Sequence, residues 1–268
     1  MPDSDTGPDL TAAGAVLRAA VREGGALALQ KFRSPFKSWT KERDSPVSEV
    51  DIAVDALLRE RLMAVAGCAW LSEESVDDPA RLDAASVWIV DPIDGTRAFI
   101  AGREDWVISA ALVHRGRPVL GAIYVPVENA LFFARTGEGA SVNGTPVTTN
   151  AGGEFHGARA SGPKRLIEAL QMHYPVEAAA RVHSLALRLA RVATGALDIA
   201  FAGGNSHDWD IAAADLIVHE AGGVLTDLDG ANVIYNRPDP VHRVLVAVDR
   251  GRHHRVVRAL RDSHLIAQ

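Results

Sequence analysis

The sequence predicts an α/β fold of layered α+β type, and three observations carry that expectation. Residues 106–147 hold consecutive short apolar runs divided by turn residues, the pattern of an antiparallel meander. From about residue 150 strand-like and helix-like stretches alternate, which is α/β organisation. Helix-forming stretches rich in alanine and leucine precede the meander. The change near residue 150 divides the chain into an N-terminal α+β subdomain, 1–150, carrying an acidic motif, and a C-terminal α/β subdomain, 151–268, that completes a site. No Pro-, Gly- or Ser-rich linker separates the two, and no internal repeat is present.

The elements follow in order. Residues 1–10 read as a loose arm, and Thr11 to Lys31 as a helix in spite of Gly14, Gly24 and Gly25. A loop from Phe32 to Pro46 carries Lys37, Lys41, Glu42, Arg43 and Asp44. Ser48-Glu49-Val50-Asp51 is a capping-box pattern that opens a helix to about Val65, with Leu58, Leu62 and Val65 on one stripe. Ala69-Trp70-Leu71 is a short strand running out into Ser72-Glu73-Glu74-Ser75, where at most one of the two glutamates faces a site, the other reading of the stretch being a solvated loop. Asp77, Asp78 and Asp83 read as surface charges. Val87-Trp88-Ile89-Val90 is a buried strand that stops at Asp91-Pro92, because proline has no N–H for a ladder. Asp94-Gly95-Thr96 is then a tight turn opening a helix.

The meander consists of strands at 106–113, 119–125 and 130–134, with an Asn143-Gly144 hairpin beyond. Ala158 to Gly162 is a strand and turn followed by a basic pair, Lys164 and Arg165. His183 to Ala193 is a helix closed by Gly195, and Asp198 to Phe201 is a strand. A flexible loop, Gly203 to His207, leads into a helix from Asp208, with acids at its start, apolar residues at 211, 214, 217, 218 and 221, and glycines at its end. Strands at 224–226 and 244–248 and a basic helix from Arg252 to Leu260 finish the chain.

Composition bounds the function. At 268 residues, with 47% hydrophobic and 23% charged residues, the chain reads as a soluble globular protein, expected in the cytoplasm. A net charge of −6 without a long basic run argues against nucleic acid as a partner. It leaves room for a small anionic substrate, because bound cations reverse the local sign. The one cysteine, Cys68, excludes an internal disulfide and reads as a buried thiol. The start, MPDSDTGPDL, has no signal-peptide character, and no apolar run is long enough to span a membrane.

Glu73, Asp91, Asp94 and Asp210 each sit at a strand end or a helix start. If they converge they need a counter-charge, since two charges about 4 Å apart repel by about 4 kcal/mol at an effective dielectric near 20. An all-oxygen set selects Mg²⁺ or Mn²⁺ over Zn²⁺, and several carboxylates sharing two ions suit phosphoryl chemistry. The free amides after Asp94 suit phosphate. Asp51 has two readings, a helix cap or a further acid of this set. His207, three residues before Asp210, stands apart from His156, His173, His183, His219, His253 and His254, which have no metal spacing.

Ser72-Glu73-Glu74-Ser75, WIVDPIDGTRAF at 88–99 and WDIAAADLIVHEAGG at 209–223 resemble, in order and spacing, the signatures of the inositol monophosphatase superfamily. The resemblance implies an αβαβα sandwich and Mg²⁺-dependent, Li⁺-sensitive hydrolysis of small phosphate monoesters, commonly by a homodimer. Carried over, it gives Glu73, Asp91 and the Ile93 carbonyl to a first metal, and Asp91, Asp94 and Asp210 to a second. Asp51 helps place a third, weaker ion or its water. Thr96 with Glu73 orients the attacking water, and the amides of Gly95 and Thr96 hold phosphate. The glutamate that inositol phosphatases usually carry four residues before the histidine is here Gly203, and Arg97 after Asp-Gly-Thr is more like the nucleotidase branch. Both favour 3′-phosphoadenosine 5′-phosphate as substrate, with Arg97 on its second phosphate and open space beside His207. Inositol 1-phosphate ranks second, histidinol phosphate third, and a regulatory protein on the same fold is the non-enzymatic alternative.

Overall fold

The structure, a computed structural model, describes residues 7–41 and 46–263. Most of the expected N-terminal arm, residues 1–6, and Glu42, Arg43, Asp44 and Ser45 of the expected loop lie outside the described residues.

Five layers are stacked. The first is α1 (Leu10–Lys31) against α2 (Glu49–Leu62). Asp9 caps α1, and the Ser48–Asp51 capping box closes the start of α2 as the sequence predicts. The second layer is a seven-stranded sheet in the order β3-β4-β5-β6-β7-β8-β9. Its strands are β3 (Cys68–Ser72), β4 (Ser86–Asp94), β5 (Val107–His114), β6 (Arg117–Val125), β7 (Ala130–Arg135), β8 (Ala140–Val142) and β9 (Thr145–Val147). From β4 onward each neighbour pairs antiparallel, the expected meander, and Asn143 and Gly144 adopt the positive φ that their hairpin turn requires. A small hairpin, β1 (Ser38–Thr40) with β2 (Pro46–Ser48), precedes α2.

The middle layer is α5 (Leu185–Ala193) and α6 (Asp208–Glu220). The fourth is a five-stranded sheet, β11 (Glu177–Ala178), β10 (Arg159–Ser161), β12 (Ile199–Ala202), β16 (Leu245–Asp249) and β14 (Gly223–Asp227), in that spatial order. The last is α4 (Lys164–Gln171) and α7 (Arg250–Asp262). The period of two along a strand sorts side chains between layers. On β4, Trp88 and Val90 face the α1/α2 core, whereas Val87 and Ile89 face the middle helices. On β12, Ala200 and Ala202 face the middle helices, whereas Ile199 and Phe201 face the outer core. Sheets buried on both faces need apolar residues at nearly every position, which explains the unbroken runs in these strands.

The architecture is the predicted αβαβα sandwich, with local corrections. β4 does not stop at Pro92; it runs to Asp94. The register to β5 shifts between Asp91 and Asp94, so the residue without an N–H falls where the ladder is interrupted anyway. The loop from Gly203 is partly ordered: Ser206–His207 forms β13, paired antiparallel with β15 (Val241–His242). The basic pair Lys164 and Arg165 opens the helix α4. Asp77 is more than a surface charge, since it grips the buried Arg81 guanidinium at 2.6 and 2.9 Å. Among the described residues no helix is long and apolar enough to cross a membrane.

One close approach locks α6 to the first sheet. A Cβ on Gly121 of β6 would sit 2.8 Å from the carbonyl oxygen of Ala213 in α6, backbone that no rotamer change can move aside. Gly121→Ala is therefore expected to destabilise the fold by about 2 kcal/mol, the cost of overpacking a filled core, read from the urea midpoint. An unshifted midpoint would show that α6 is free to slide.

Candidate active site

The acids meet where β3, β4 and α6 end or begin. β3 and β4 run parallel with Ser72 beside Val90, so the next residues, Glu73 just past β3 and Asp91 still within β4, stand side by side. The Glu73 amide still donates to the Val90 carbonyl at 3.3 Å. Asp210 lies in the first turn of α6, where its Oδ2 accepts the His207 amide at 2.6 Å. Asp91, Asp94 and Asp210 each bring one carboxylate oxygen to within 4.8 Å of the others.

Each acid has its own fixings. Asp94 Oδ2 accepts the Ser184 hydroxyl and the Ala186 amide, both at 2.6 Å, so it sits on the N-terminus of α5. Asp91 is buried, and its Oδ1 has no hydrogen-bond partner. Glu73 is held from behind: Asp55 accepts the hydroxyls of Ser72 at 2.5 Å and Ser75 at 2.6 Å, on either side of it. Asp208, at the foot of α6, accepts His242 Nε2 at 2.6 Å and the Asn236 amide at 2.7 Å.

Burial and mutual repulsion push these carboxyls upward. Burial first, then Glu73, Asp94 and Asp210, raises Asp91 well above the carboxylate range. Asp94 is raised to about 6 by burial and by Asp210, against the opposing bonds from Ser184 and Ala186. Glu73 is raised to about 8 by burial, Asp210 and Glu74, with Lys41 opposing. A cluster that resists its own ionisation, made only of oxygen donors and holding one buried carboxylate oxygen without a partner, fits a hard divalent cation. The cation supplies the charge that these residues lack.

Asp51 is the helix cap that the sequence predicts, and its second oxygen faces Thr96. Its Oδ2 accepts the Ser48 amide and hydroxyl, closing the cap, and its Oδ1 lies 3.1 Å from Thr96 Oγ1. Thr96 Oγ1 is also 3.0 Å from the Ile93 carbonyl, so one hydroxyl proton faces two acceptors. Gly95, at φ 98°, turns the chain from β4 into α3 (Thr96–Ile100); a Cβ there would stand 3.1 Å from the Asp105 carbonyl. Arg97 is exposed in the first turn of α3. The His207 ring stacks on Trp209, centroids 4.5 Å apart, with Nδ1 3.8 Å from Asp210 Oδ2. Glu74 pairs with Lys41 at 2.5 Å, and Lys41 stands 4.0 Å from Glu73.

Sequence reading missed Ser184, Asp55, Asp208 and Arg188. Ser184 was open to detection as an N-cap ahead of Leu185, and Arg188 as one of two cations, with Arg191, in a helix whose buried residues are all apolar. Asp55 and Asp208 carry no local signal, because their partners come from distant segments.

A model of the inositol monophosphatase family matches residues 9–265. The chain is 34% identical over 227 residues to the Nus factor SuhB of Haemophilus influenzae, covering 81% of this chain and 85% of that one. It is 32% identical over 194 residues to the inositol-1-monophosphatase of Rhizobium meliloti, covering 69% and 73%. Among solved structures, the extragenic suppressor protein suhB from Bartonella henselae superposes with a TM-score of 0.82 at 27% identity, over 93% of this chain and 98% of that one. A match of that length, on a five-layer fold, places the chain in the inositol monophosphatase family, as a phosphatase.

Proposed function

We propose that the chain is a Mg²⁺-dependent phosphomonoesterase, on the observation that two buried carboxylates and the half-buried Asp210 converge with an Asp91 oxygen left unpartnered. In this reading Glu73, Asp91 and the Ile93 carbonyl hold one ion, and Asp91, Asp94 and Asp210 hold a second. Mn²⁺ is the substitute, and a third, weaker ion or its water belongs near Asp51. When bound, the ions activate water and neutralise charge on the phosphoryl oxygens. The chain itself orients and moves the proton. Thr96 Oγ1, steered by Asp51 Oδ1, accepts a proton from the attacking water as it passes its own to Asp51. Glu73 fixes that water from the other side, and the Gly95 and Thr96 amides hold the phosphate.

For the substrate we propose 3′-phosphoadenosine 5′-phosphate, cleaved to AMP and phosphate. Support comes from the space at Gly203 and Gly204. A Cβ on the first would meet only Pro163 at 3.6 Å, and one on the second nothing within 4 Å. A polyol finds no carboxylate acceptor there, while a larger nucleoside finds room. Arg97 and His207 belong to the substrate side of this proposal. Inositol 1-phosphate is the next substrate, as the name of the Rhizobium relative suggests, and histidinol phosphate the third. A cytoplasmic homodimer inhibited by Li⁺ completes the reading. The relatives named Nus factor favour one other role, regulation through macromolecular contacts.

Asp94→Asn is expected to weaken Mg²⁺ binding by calorimetry and to lower turnover by more than the ~10–100-fold typical of losing an outer-shell partner, with the circular dichroism spectrum retained. Undiminished kcat would sink the two-metal assignment. Thr96→Ala should lower kcat by about 100-fold or more with little change in Mg²⁺ affinity; collapse of metal binding instead would make Thr96 structural. In a turnover panel with Mg²⁺, kcat/KM should be higher for 3′-phosphoadenosine 5′-phosphate than for inositol 1-phosphate. The reverse order would leave the phosphatase and remove the nucleotidase.

A further inference from the structure

A cavity of about 700 Å³ is walled by Ser161, Gly162, Pro163, Lys164, Arg181 and Arg188, among others. Arg188 belongs both to this cavity and to the surroundings of the acid cluster. It lies one helical turn beyond Ser184, on the same face of α5, and Ser184 holds Asp94. Burial pushes the Arg188 guanidinium below the usual range and Arg181 adds repulsion, while the nearby Asp94 and Asp210 oppose the shift.

The guanidinium is under-used. Its Nη1 donates to the Val182 carbonyl at 3.2 Å, while its Nε is buried and without a partner. Among the described residues no carboxylate stands within ion-pair distance of Arg181 or Arg188, and Lys164 is matched by Glu168 on the same wall at 3.3 Å. Once Asp94 and Asp210 coordinate cations, their charge no longer serves Arg188. Two neighbouring guanidinium groups beside bound cations then call for an anion, and their forked donors match phosphate oxygens. The volume is that of a pocket for a small organic ligand.

We propose that Arg188, together with Arg181 and the Lys164 end of the cavity, is a second anion subsite that takes the non-scissile phosphate of the substrate. The proposal rests on the phosphatase reading above and deepens it: the substrate carries two phosphates, one on the acid cluster and one on this wall.

The test compares 3′-phosphoadenosine 5′-phosphate with adenosine 3′-monophosphate, which presents the same ester and lacks only the 5′-phosphate. In Arg188→Gln the preference for the bisphosphate, as a ratio of kcat/KM values, should fall at least about tenfold, with partial recovery in Arg188→Lys. Calorimetric affinity for AMP, which has no scissile phosphate, should fall by a similar factor, equivalent to about 1.4 kcal/mol. If Arg188→Gln fails to fold, the exposed Arg181→Gln takes its place. Equal losses on both substrates with AMP affinity unchanged would overturn the subsite, as would a selective loss confined to Arg97→Ala. Wild-type protein that binds AMP through Arg188 but hydrolyses neither nucleotide would overturn the phosphatase reading and keep the subsite.

Discussion

Repulsion among buried carboxylates is the constraint around which this molecule is built. Asp91, Asp94 and Asp210 share a few ångströms of space, and Glu73 adds its charge from the adjoining strand end. Left alone, such groups separate or take up protons. Here they are held by backbone that has little freedom to yield: the parallel β3–β4 register, the bulge at Pro92 and the first turn of α6. Rigid elements hold functional groups more tightly than loops do.

The supports behind the acids are mostly uncharged donors. Hydroxyls from Ser48, Ser72, Ser75 and Ser184 and the Ala186 amide satisfy carboxylate oxygens without introducing a competing cation. The exception lies at the rim, where Lys41 neutralises Glu74 beside Glu73. This division keeps the centre available to ions that bring their own charge, while the periphery carries protein cations able to meet substrate.

Much of the fold was legible because its signals are local. The capping box at Ser48, the Asn143-Gly144 turn, and the apolar stripe of α6 each lie within a few residues, and each appears in the structure. The acidic motifs were legible for the same reason, since Asp91 and Asp94 sit together in sequence. What escaped depends on distance. Pro92 argued for a strand end, but its missing donor falls in a bulge set by pairing with β5. β13 exists only because residues 241–242 come alongside it. Ser184 reaches an aspartate 90 positions earlier in the chain. The pairing of Glu74 with Lys41 likewise joins two segments apart in the chain.

The grip of Asp94 on the start of α5 has a consequence for assembly. The acid comes from the first sheet, and the helix it anchors feeds β12 of the second. Asp210 likewise arrives more than a hundred residues after Asp91. The centre therefore does not exist in either half of a growing chain; it forms at the moment the two sheets close on α5 and α6. Any ion taken up there binds the closed form and not the open one, and so adds its binding free energy to folding. The site acts as a clasp whose fastening reports that the whole sandwich is in place.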